Sequence, residues 1–283
     1  MPENSIVIWG TDLQSTVGIK FTLKQLEMVQ LAPYEYSVII GLLLSDGWLV
    51  KRSKNVPLGF AQSASHSEYF WFVFCSLSHY CSSFPIVRNR SRFGKETIGL
   101  EFKTRSMACL TKLRELFYPN GIKIIPQNIY ELLTPIALAH MIMGDGAVRS
   151  HGLIICTDSY TVQDVVRLMN VLMIRYRLDC TCRFYSTTQP RIYIIQHSMP
   201  SLLNIVYPYM HPSMLYKLTS SLSIPSKHQK IEVFDLEEKT TITYNSIGEA
   251  AKALNCLHTV IVNYFTRNQK KPYKGRYTFK KIN

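Results

Sequence analysis

The sequence predicts an α+β protein built from two pseudo-symmetric lobes, with a small separate unit at the C-terminal end. Three observations predict this architecture. Two apolar runs, residues 39–47 and 138–146, end in the same triad of a small residue, an aspartate and a glycine. Strand-like alternating stretches and helical patterns follow each run in the same order. After residue 230 the repeat stops and a different pattern of short strands and helices begins.

Each apolar run predicts a helix. Pro33 and Pro135 precede the two runs and suit the first turn of a helix, where a missing N–H costs little. Thr134 is a suitable N-cap ahead of Pro135. We expect Gly47 and Gly146 to close the helices in the left-handed conformation that glycine tolerates.

The repeat continues downstream of the two runs. The matched features, in chain order, are 61–63 with 157–159, 106–107 with 198–199, 118–119 with 207–208, and Lys123 with Lys217. A chance repeat of all these features in one order is improbable. Each half is therefore predicted to contain a helix, two hairpins and further helices.

Five stretches are predicted as strands: 58–61, 97–103, 153–156, 181–185 and 192–196. Basic residues alternate with apolar ones in and beside them, which predicts one face on a core and one basic face that fits a DNA major groove. For any single residue, a solvated sheet face is an equally good interpretation. The basic residues are Arg88, Arg90, Arg92, Lys95, Lys103, Arg105, Arg183 and Arg191.

Composition narrows the class of partner. The formal net charge of +13 and the isoelectric point near 9.4 favour a polyanion, of which nucleic acid is the commonest, over a protein that is merely basic and soluble. A hydrophobic content of 47% excludes wholesale disorder. The longest apolar run, 38–44, is too short to span a bilayer. The cysteines show no paired spacing typical of a zinc site.

An aspartate at the end of each apolar helix needs an explanation. The carbonyl end of a helix is partially negative and disfavours a carboxylate, whereas a bound divalent cation would favour one. A single Asp-Gly is better explained as a solvated helix end, but the duplication favours a paired site at Asp46 and Asp145. Small residues allow the two helices to pack closely: Gly41, Ser45, Ala139 and Gly144.

The C-terminal unit has its own pattern. Residues 219–230, rich in Ser, Lys and Pro, predict a linker, and 231–234 with 240–243 predict a hairpin. Ser246 and Glu249 form a capping box that opens a short helix, and a second helix is predicted at 259–265. Two short helices joined by a tight turn indicate a helix-turn-helix. The tail residues suited to phosphate contacts are Lys270, Lys271, Lys274, Arg276, Lys280 and Lys281.

The two runs and their matched features resemble the single-chain LAGLIDADG homing endonucleases over most of residues 34–218. The resemblance implies two αββαββα lobes whose motif helices form the interface, with a saddle of strands over DNA. It implies that Asp46 and Asp145 bind catalytic Mg²⁺ or Mn²⁺. It further implies active-site roles around the scissile phosphates for Lys123, Lys217, Gln62 and Asp158. Three positions depart from the motif: Leu44 and Met143 replace an acidic residue, and His140 replaces a glycine.

The C-terminal unit resembles the small modular DNA-binding repeats that accompany intron-encoded nucleases. The expected organisation is an N-terminal arm (1–33), a first lobe (34–134), a second lobe (135–218), the linker and the DNA-binding unit (231–283). The resemblance implies a monomer acting on double-stranded DNA with a long asymmetric target and no membrane partner. It also implies mitochondrial encoding, with the chloroplast as the other organelle.

Three functions remain open on the sequence. The first is a site-specific endonuclease that cuts both DNA strands. The second is a maturase that uses the same saddle to bind folded group I intron RNA, because basic saddles serve either polymer. The third is a nucleic-acid-binding protein that has lost cleavage, which the retained aspartates and lysines disfavour.

Overall fold

The computed structural model describes residues 16–51, 53–92, 95–149, 152–186, 189–218, 230–267 and 269–282. The chain divides into two compact units, with the boundary between Ser220 and Ser221. The predicted linker lies almost entirely outside the described residues. Within the described part, no helix is both long and apolar enough to cross a membrane.

The first unit contains the αββαββα order twice. Two short helices, α1 (Leu23–Met28) and α5 (Ile129–Leu132), precede the two copies. The first copy comprises α2 (Pro33–Leu44), β1 (Trp48–Leu49), β2 (Leu58–Ser63), α3 (Ser67–Leu77), β3 (Ile86–Arg92), β4 (Lys95–Lys103) and α4 (Ala108–Phe117). The second comprises α6 (Pro135–Asp145), β5 (Gly146–Arg149), β6 (Gly152–Ile155), α7 (Val162–Ile174), β7 (Cys180–Ser186), β8 (Gln189–Ile194) and α8 (Met199–Val206).

The two sheets have the same topology. Within the described residues each is four-stranded and antiparallel, in the order β1-β2-β4-β3 in the first lobe and β5-β6-β8-β7 in the second. The five predicted strands are all present. The first strand of each sheet and β3 were not predicted, because β1 and β5 are short and β3 is too rich in arginine to show an apolar face.

The motif helices α2 and α6 pack directly against each other. Both are apolar around most of their circumference, because each contacts the partner helix on one side and its own lobe on the other. The contact is close at Gly41, where a Cβ atom would lie 2.5 Å from the Ala137 carbonyl oxygen and from the His140 Cβ. As predicted, Pro33 and Pro135 open the helices, and the Thr134 hydroxyl accepts a hydrogen bond from the Ala137 N–H.

The prediction that Gly47 and Gly146 close the helices in a left-handed conformation is wrong. Neither has a positive φ, and Gly146 is extended at φ −76° and ψ 145°. Their requirement for glycine is steric instead. A Cβ atom would lie 2.9 Å from the Leu42 carbonyl at Gly47 and 2.5 Å from the Ile142 carbonyl at Gly146. The chain turns back onto the last helical turn and enters the first strand at once.

His140 lies inside the helix interface, fully buried. Its Nδ1 is 3.0 Å from the Tyr69 hydroxyl of α3, and its ring stacks on Phe72 with an interplanar angle of 5°. Burial lowers the pKa of His140 to about 3, so the ring is neutral. The structure therefore supports a structural role for this departure from the motif.

The second unit has its own core around Ile231, Ile261 and Phe279. The predicted hairpin is β9 (Lys230–Asp235) with β10 (Thr240–Tyr244), and the two helices are α9 (Ile247–Ala253) and α10 (His258–Thr266). Asn255, at the predicted turn, has a φ of 44°. A strand not predicted from the sequence, β11 (Tyr277–Ile282), pairs antiparallel with β9. The basic tail is therefore partly a sheet strand, with Phe279 supplying core contact.

Candidate active site and nucleic-acid interface

The ends of the two motif helices meet. Asp145 is the last residue of α6, and Asp46 lies in the turn that follows α2. A Cβ atom on Gly144 would lie 2.5 Å from the Ser45 hydroxyl oxygen and 3.3 Å from Asp46 Oδ2. This contact places the Asp46 carboxylate directly beside the end of the other motif. The small residues predicted at this position are therefore required for the approach.

The two matched lysines bind the motif ends. Lys123 Nζ donates to the Ser45 and Gly47 carbonyl oxygens at 3.0 Å each. Lys217 Nζ donates to the Gly144 carbonyl oxygen in the same way. The last carbonyls of a helix lack partners within the helix, and a cation there is favoured by the helix dipole. Both lysines are half-buried. Because they bind the two motif ends beside Asp46 and Asp145, the structure brings the four predicted residues into one site.

Burial, together with the close charges, shifts the pKa values of three groups in this site. Partial burial raises the pKa of Asp145 to about 7, and the nearby Asp46 carboxylate adds to the effect against the two lysines. Burial lowers the pKa of Lys123 to about 8, and it also lowers that of Lys217, although both aspartates oppose this. Like carboxylates at close range resist joint ionisation. Shifts of this kind are typical of functional sites.

Gln62 and Asp158, the predicted polar pair, have different partners. Gln62 lies near the end of β2, and its Nε2 donates to Asp46 Oδ2 at 2.6 Å. Asp158 instead accepts two hydrogen bonds of 2.6 Å from the guanidinium of Arg191 on β8. Gln62 therefore orients the first aspartate, whereas Asp158 is bound to a cation.

The donor chemistry fits a hard divalent cation. No cluster of three or more His, Cys, Asp or Glu side chains that could hold a metal exists within the described residues. The site instead offers two carboxylates, which are oxygen ligands of the kind Mg²⁺ prefers. Mg²⁺ keeps several waters and shares its coordination with substrate phosphates, so two protein carboxylates fit this ion.

The basic residues of both sheets whose side chains the structure describes lie opposite the core. On β4 Phe102 is buried and the next residue, Lys103, points to the other face. On β8 Ile192 and Ile194 are buried, and Arg191 lies on the other face. The alternation is the reason, since successive side chains of a strand point to opposite faces. Both sheets thus present a basic face.

Several of these cations have protein partners. Glu101 on β4 lies 3.5 Å from Arg88 and 3.1 Å from Lys103. In the second lobe, Arg183 lies 3.4 Å from the centre of the Tyr193 ring. Such contacts hold long side chains in defined orientations on the exposed face. The side chains of Arg90, Arg92 and Lys95 lie outside the described part of the structure.

Arg105 is a correction to the predicted DNA contacts. It is 7% exposed, and its guanidinium donates to the Thr16 and Ile19 carbonyls and to the Cys81 carbonyl. The group also lies 4.0 Å from the centre of the Phe21 ring. A buried arginine with this many acceptors anchors the segment before α1 rather than reaching a phosphate.

Arg276, a predicted phosphate contact, has acidic partners within its own unit. Its guanidinium binds Asp235 at 2.7 Å and Glu237 at 2.6 Å, so it fixes the β9–β10 turn. The predicted phosphate contacts at Lys270, Lys271 and Lys274 are exposed in the structure.

Arg191 was predicted as a DNA contact and Asp158 as an active-site residue, but not as partners. Alternation could place Arg191 on the basic face, whereas the pairing between β6 and β8 that brings it to Asp158 cannot be read from one sequence. Tyr160 was also missed: its hydroxyl donates to the Leu43 and Leu44 carbonyls at 3.4 and 3.3 Å, across the lobe boundary. The signal available was its position just after the repeated 157–159 triad.

A duplicated α+β fold, with two basic sheet faces and paired aspartates at packed helix ends, defines a two-motif nucleic-acid-binding nuclease. The comparisons with known proteins identify its family. A profile of the LAGLIDADG DNA endonuclease family matches residues 36–202, and the NUMOD1 domain matches residues 230–264. The chain belongs to the LAGLIDADG DNA endonuclease family. The predicted resemblance, enzyme class and fold class are confirmed.

Individual relatives carry two kinds of name. Cytochrome b mRNA maturase bI2 of Debaryomyces hansenii is 33% identical over 188 residues, which cover 64% of this chain and 72% of the relative. Intron-encoded endonuclease ai4 of Dictyostelium discoideum is 38% identical over 120 residues, which cover 42% of this chain and 76% of the relative. The structure of the homing endonuclease I-WcaI bound to its DNA recognition sequence matches with a TM-score of 0.64 and 26% identity, covering 69% of this chain and 91% of that one.

Proposed function

We propose that the protein is a site-specific endonuclease that cuts both strands of a long, asymmetric DNA target. The observation that carries the proposal is the junction of the motif helices, where Asp46 and Asp145 lie between two lysines that bind the same helix ends. Phosphodiester hydrolysis needs charge stabilisation at the attacked phosphate, and the basic sheet faces supply a surface for the flanking DNA.

Asp46 and Asp145 would hold Mg²⁺ or Mn²⁺. When bound there, the cation supplies Lewis acidity, which activates water and stabilises the leaving oxygen. Gln62 orients the Asp46 carboxylate through its 2.6 Å hydrogen bond. Lys123 and Lys217 place positive charge beside the aspartates, where charge develops on a scissile phosphate. Asp158, which corresponds to Gln62 in the second lobe, forms an ion pair with Arg191.

The chain acts as a monomer in this proposal, because both motif copies lie in one chain. The C-terminal unit adds a second DNA contact through α10 and the exposed lysines of the tail. Encoding in mitochondria is supported by relatives named for cytochrome b mRNA, a mitochondrial message, with the chloroplast as the alternative organelle.

A maturase activity is the second candidate. It is favoured by a specific observation, since two relatives, at 33% and 32% identity, are named cytochrome b mRNA maturases. The basic saddle has the charge to bind RNA as well as DNA. Binding and splicing assays with the cognate group I intron RNA test it, using the intact chain.

Cleavage of the intronless allele of the host gene, with and without Mg²⁺, tests the endonuclease. We expect a double-strand cut with Mg²⁺ that Asp46→Asn and Asp145→Asn each reduce by at least about three orders of magnitude, or about 4 kcal/mol of barrier. The reason is that each change removes a ligand charge without removing bulk. Binding measured in Ca²⁺ should persist in both variants. Cutting by either variant at the wild-type rate would contradict the assignment.

A further inference from the structure

Helix α7 of the second lobe holds a segment of the first lobe. The segment 123–133 runs from Lys123 to the start of the second motif helix. Three of its carbonyl oxygens accept hydrogen bonds from α7 and the residues that follow it: Ile125 from Arg167, Tyr130 from Arg175, and Leu133 from the Tyr176 hydroxyl. The bond to Ile125, two residues from Lys123, fixes the backbone that carries the first lysine from the other lobe, whereas the other two bonds lie farther along the segment.

Arg167 is itself held in place. Its guanidinium lies 2.9 Å from Asp164 Oδ1, and the Asp164 side chain is 8% exposed. The Thr161 hydroxyl donates to the other carboxylate oxygen at 2.9 Å and caps the helix by accepting from the Asp164 N–H. A buried carboxylate with these partners has one orientation, so the guanidinium it binds is oriented before it meets Ile125.

The same end of α7 also contacts the first motif helix. Tyr160, just before the Thr161 N-cap, reaches the Leu43 and Leu44 carbonyls, and Leu44 is two residues before Asp46. Two elements that carry first-lobe active-site residues, the end of α2 and the segment after Lys123, thus rest on residues 160–167 of the second lobe. Lys123 depends on this placement, because its two carbonyl acceptors lie at 3.0 Å and a small displacement would break both bonds.

We propose that Arg167, oriented by Asp164, is a positioning residue for Lys123, so that the second lobe sets the geometry of the first lobe's active-site lysine. The inference rests on the proposed endonuclease function and extends it. It makes the second lobe a contributor to the strand cut that Lys123 serves. A positioning defect should therefore be specific to the strand that Lys123 serves.

The test follows each DNA strand with its own label in single-turnover reactions at saturating protein. We expect Arg167→Met to slow one strand by about ten- to a hundred-fold, since a displacement of about 1 Å can cost this much. That strand should be the one that Lys123→Met slows most. Adding Arg167→Met to Lys123→Met should have little further effect, because residues acting through one another are not additive.

Arg175→Met is the matched control on the same side of the segment. It removes a hydrogen bond to Tyr130, five residues beyond Ile125, and we expect both strands to be cut at near wild-type rates. Because Arg167→Met leaves a buried carboxylate unpaired and lowers stability, the double variant Asp164→Asn/Arg167→Met serves if the single variant does not fold. The same strand preference is expected from it.

Two outcomes overturn the inference. One is equal slowing of both strands, which indicates a general structural role. The other is full additivity with Lys123→Met, which indicates independent action. A wild-type protein that cuts neither strand overturns the endonuclease proposal and this inference with it, whereas a cutting wild type with unselective variants overturns this inference alone.

Discussion

The two lobes share a backbone and differ in the side chains around the active site. Both have the same element order and sheet order, and in both a lysine binds the carbonyls at the motif end. The aspartates already differ: Asp46 is exposed in a turn after its helix, whereas Asp145 is half-buried within the last helical turn. The duplication has kept the contacts made by backbone and lysine.

The partners of the polar pair, Gln62 and Asp158, differ more between the lobes than the aspartates do. Gln62 binds the motif aspartate of its own lobe, Asp46, and Asp158 binds Arg191 instead. On the basic faces, Arg88 and Lys103 share Glu101, whereas Arg183 and Arg191 lie over the Tyr193 and Tyr185 rings. The first lobe pairs its cations with the Glu101 carboxylate, whereas the second adds aromatic rings to the Asp158 carboxylate that binds Arg191. This difference suits the asymmetric target that we propose, in which each half-site is read by different side chains.

After the aspartates, the two matched lysines, one in each lobe, should have the largest effect on cleavage. Lys123→Met and Lys217→Met should each slow cleavage by about a hundred-fold with a modest change in affinity, because the charge that is removed acts mainly in the transition state. Single-turnover rates at saturating protein, with affinity measured separately in Ca²⁺, check this. If weaker affinity accounts for the whole effect, both lysines are ordinary phosphate contacts.

Substitution of the polar pair, Gln62 and Asp158, should have the next largest effect, and the effect should differ between the two lobes. Gln62→Ala frees the Asp46 carboxylate and should slow cutting by about ten-fold, since orientation is lost and not charge. Asp158→Asn removes the partner of Arg191 and leaves that cation available to DNA. We expect tighter binding in Ca²⁺ and a log–log salt slope steeper by about 0.9. An unchanged slope would show that Arg191 does not reach a phosphate.

The stability of the metal-free protein should depend on pH through Asp145. The pKa of Asp145 is raised to about 7 in the folded protein and is near 3.8 when unfolded, so folding takes up a proton between these values. The stability this proton confers is full below about pH 4 and is lost as pH rises towards 7. Thermal melts in EDTA from pH 5 to 8 should fall with pH in the wild type and less steeply in Asp145→Asn. Equal slopes would remove Asp145 as the cause.

Sequence periodicity and duplication predicted the parts of the structure that depend on local chemistry. The motif helices and the five strands follow from patterns within one segment. The alignment of Lys123 with Lys217 follows from comparing the two copies of the repeat. Register between distant strands does not, so the Asp158–Arg191 pair was out of reach. Burial of Arg105 could not be predicted either. The sequence pattern of an arginine near a strand end is the same whether its side chain is exposed to solvent or covered by the N-terminal segment. Cross-lobe hydrogen bonds such as that from Arg167 to Ile125 require the fold itself.

The smallest effect on cleavage is expected from the C-terminal unit. Deleting residues from Ile231 onward should leave a folded nuclease, because the two units have separate cores and the matched features of the repeat are complete by Lys217. Affinity should fall, since a tethered module raises it through effective concentration without touching the active site. The log–log salt slope should become shallower by about 0.9 for every phosphate that the deleted unit would neutralise.

Footprinting of the truncated protein shows which part of the DNA target the C-terminal unit protects. The core is duplicated and the C-terminal unit occurs once, so protection should shrink at one end of the target only. Lys270→Ala, Lys271→Ala and Lys274→Ala combined are the matched control, because these lysines are exposed and their removal spares the fold of the unit. This variant should reproduce part of the change in salt slope. A truncation with unchanged footprint and slope would mean that the unit binds something other than this DNA.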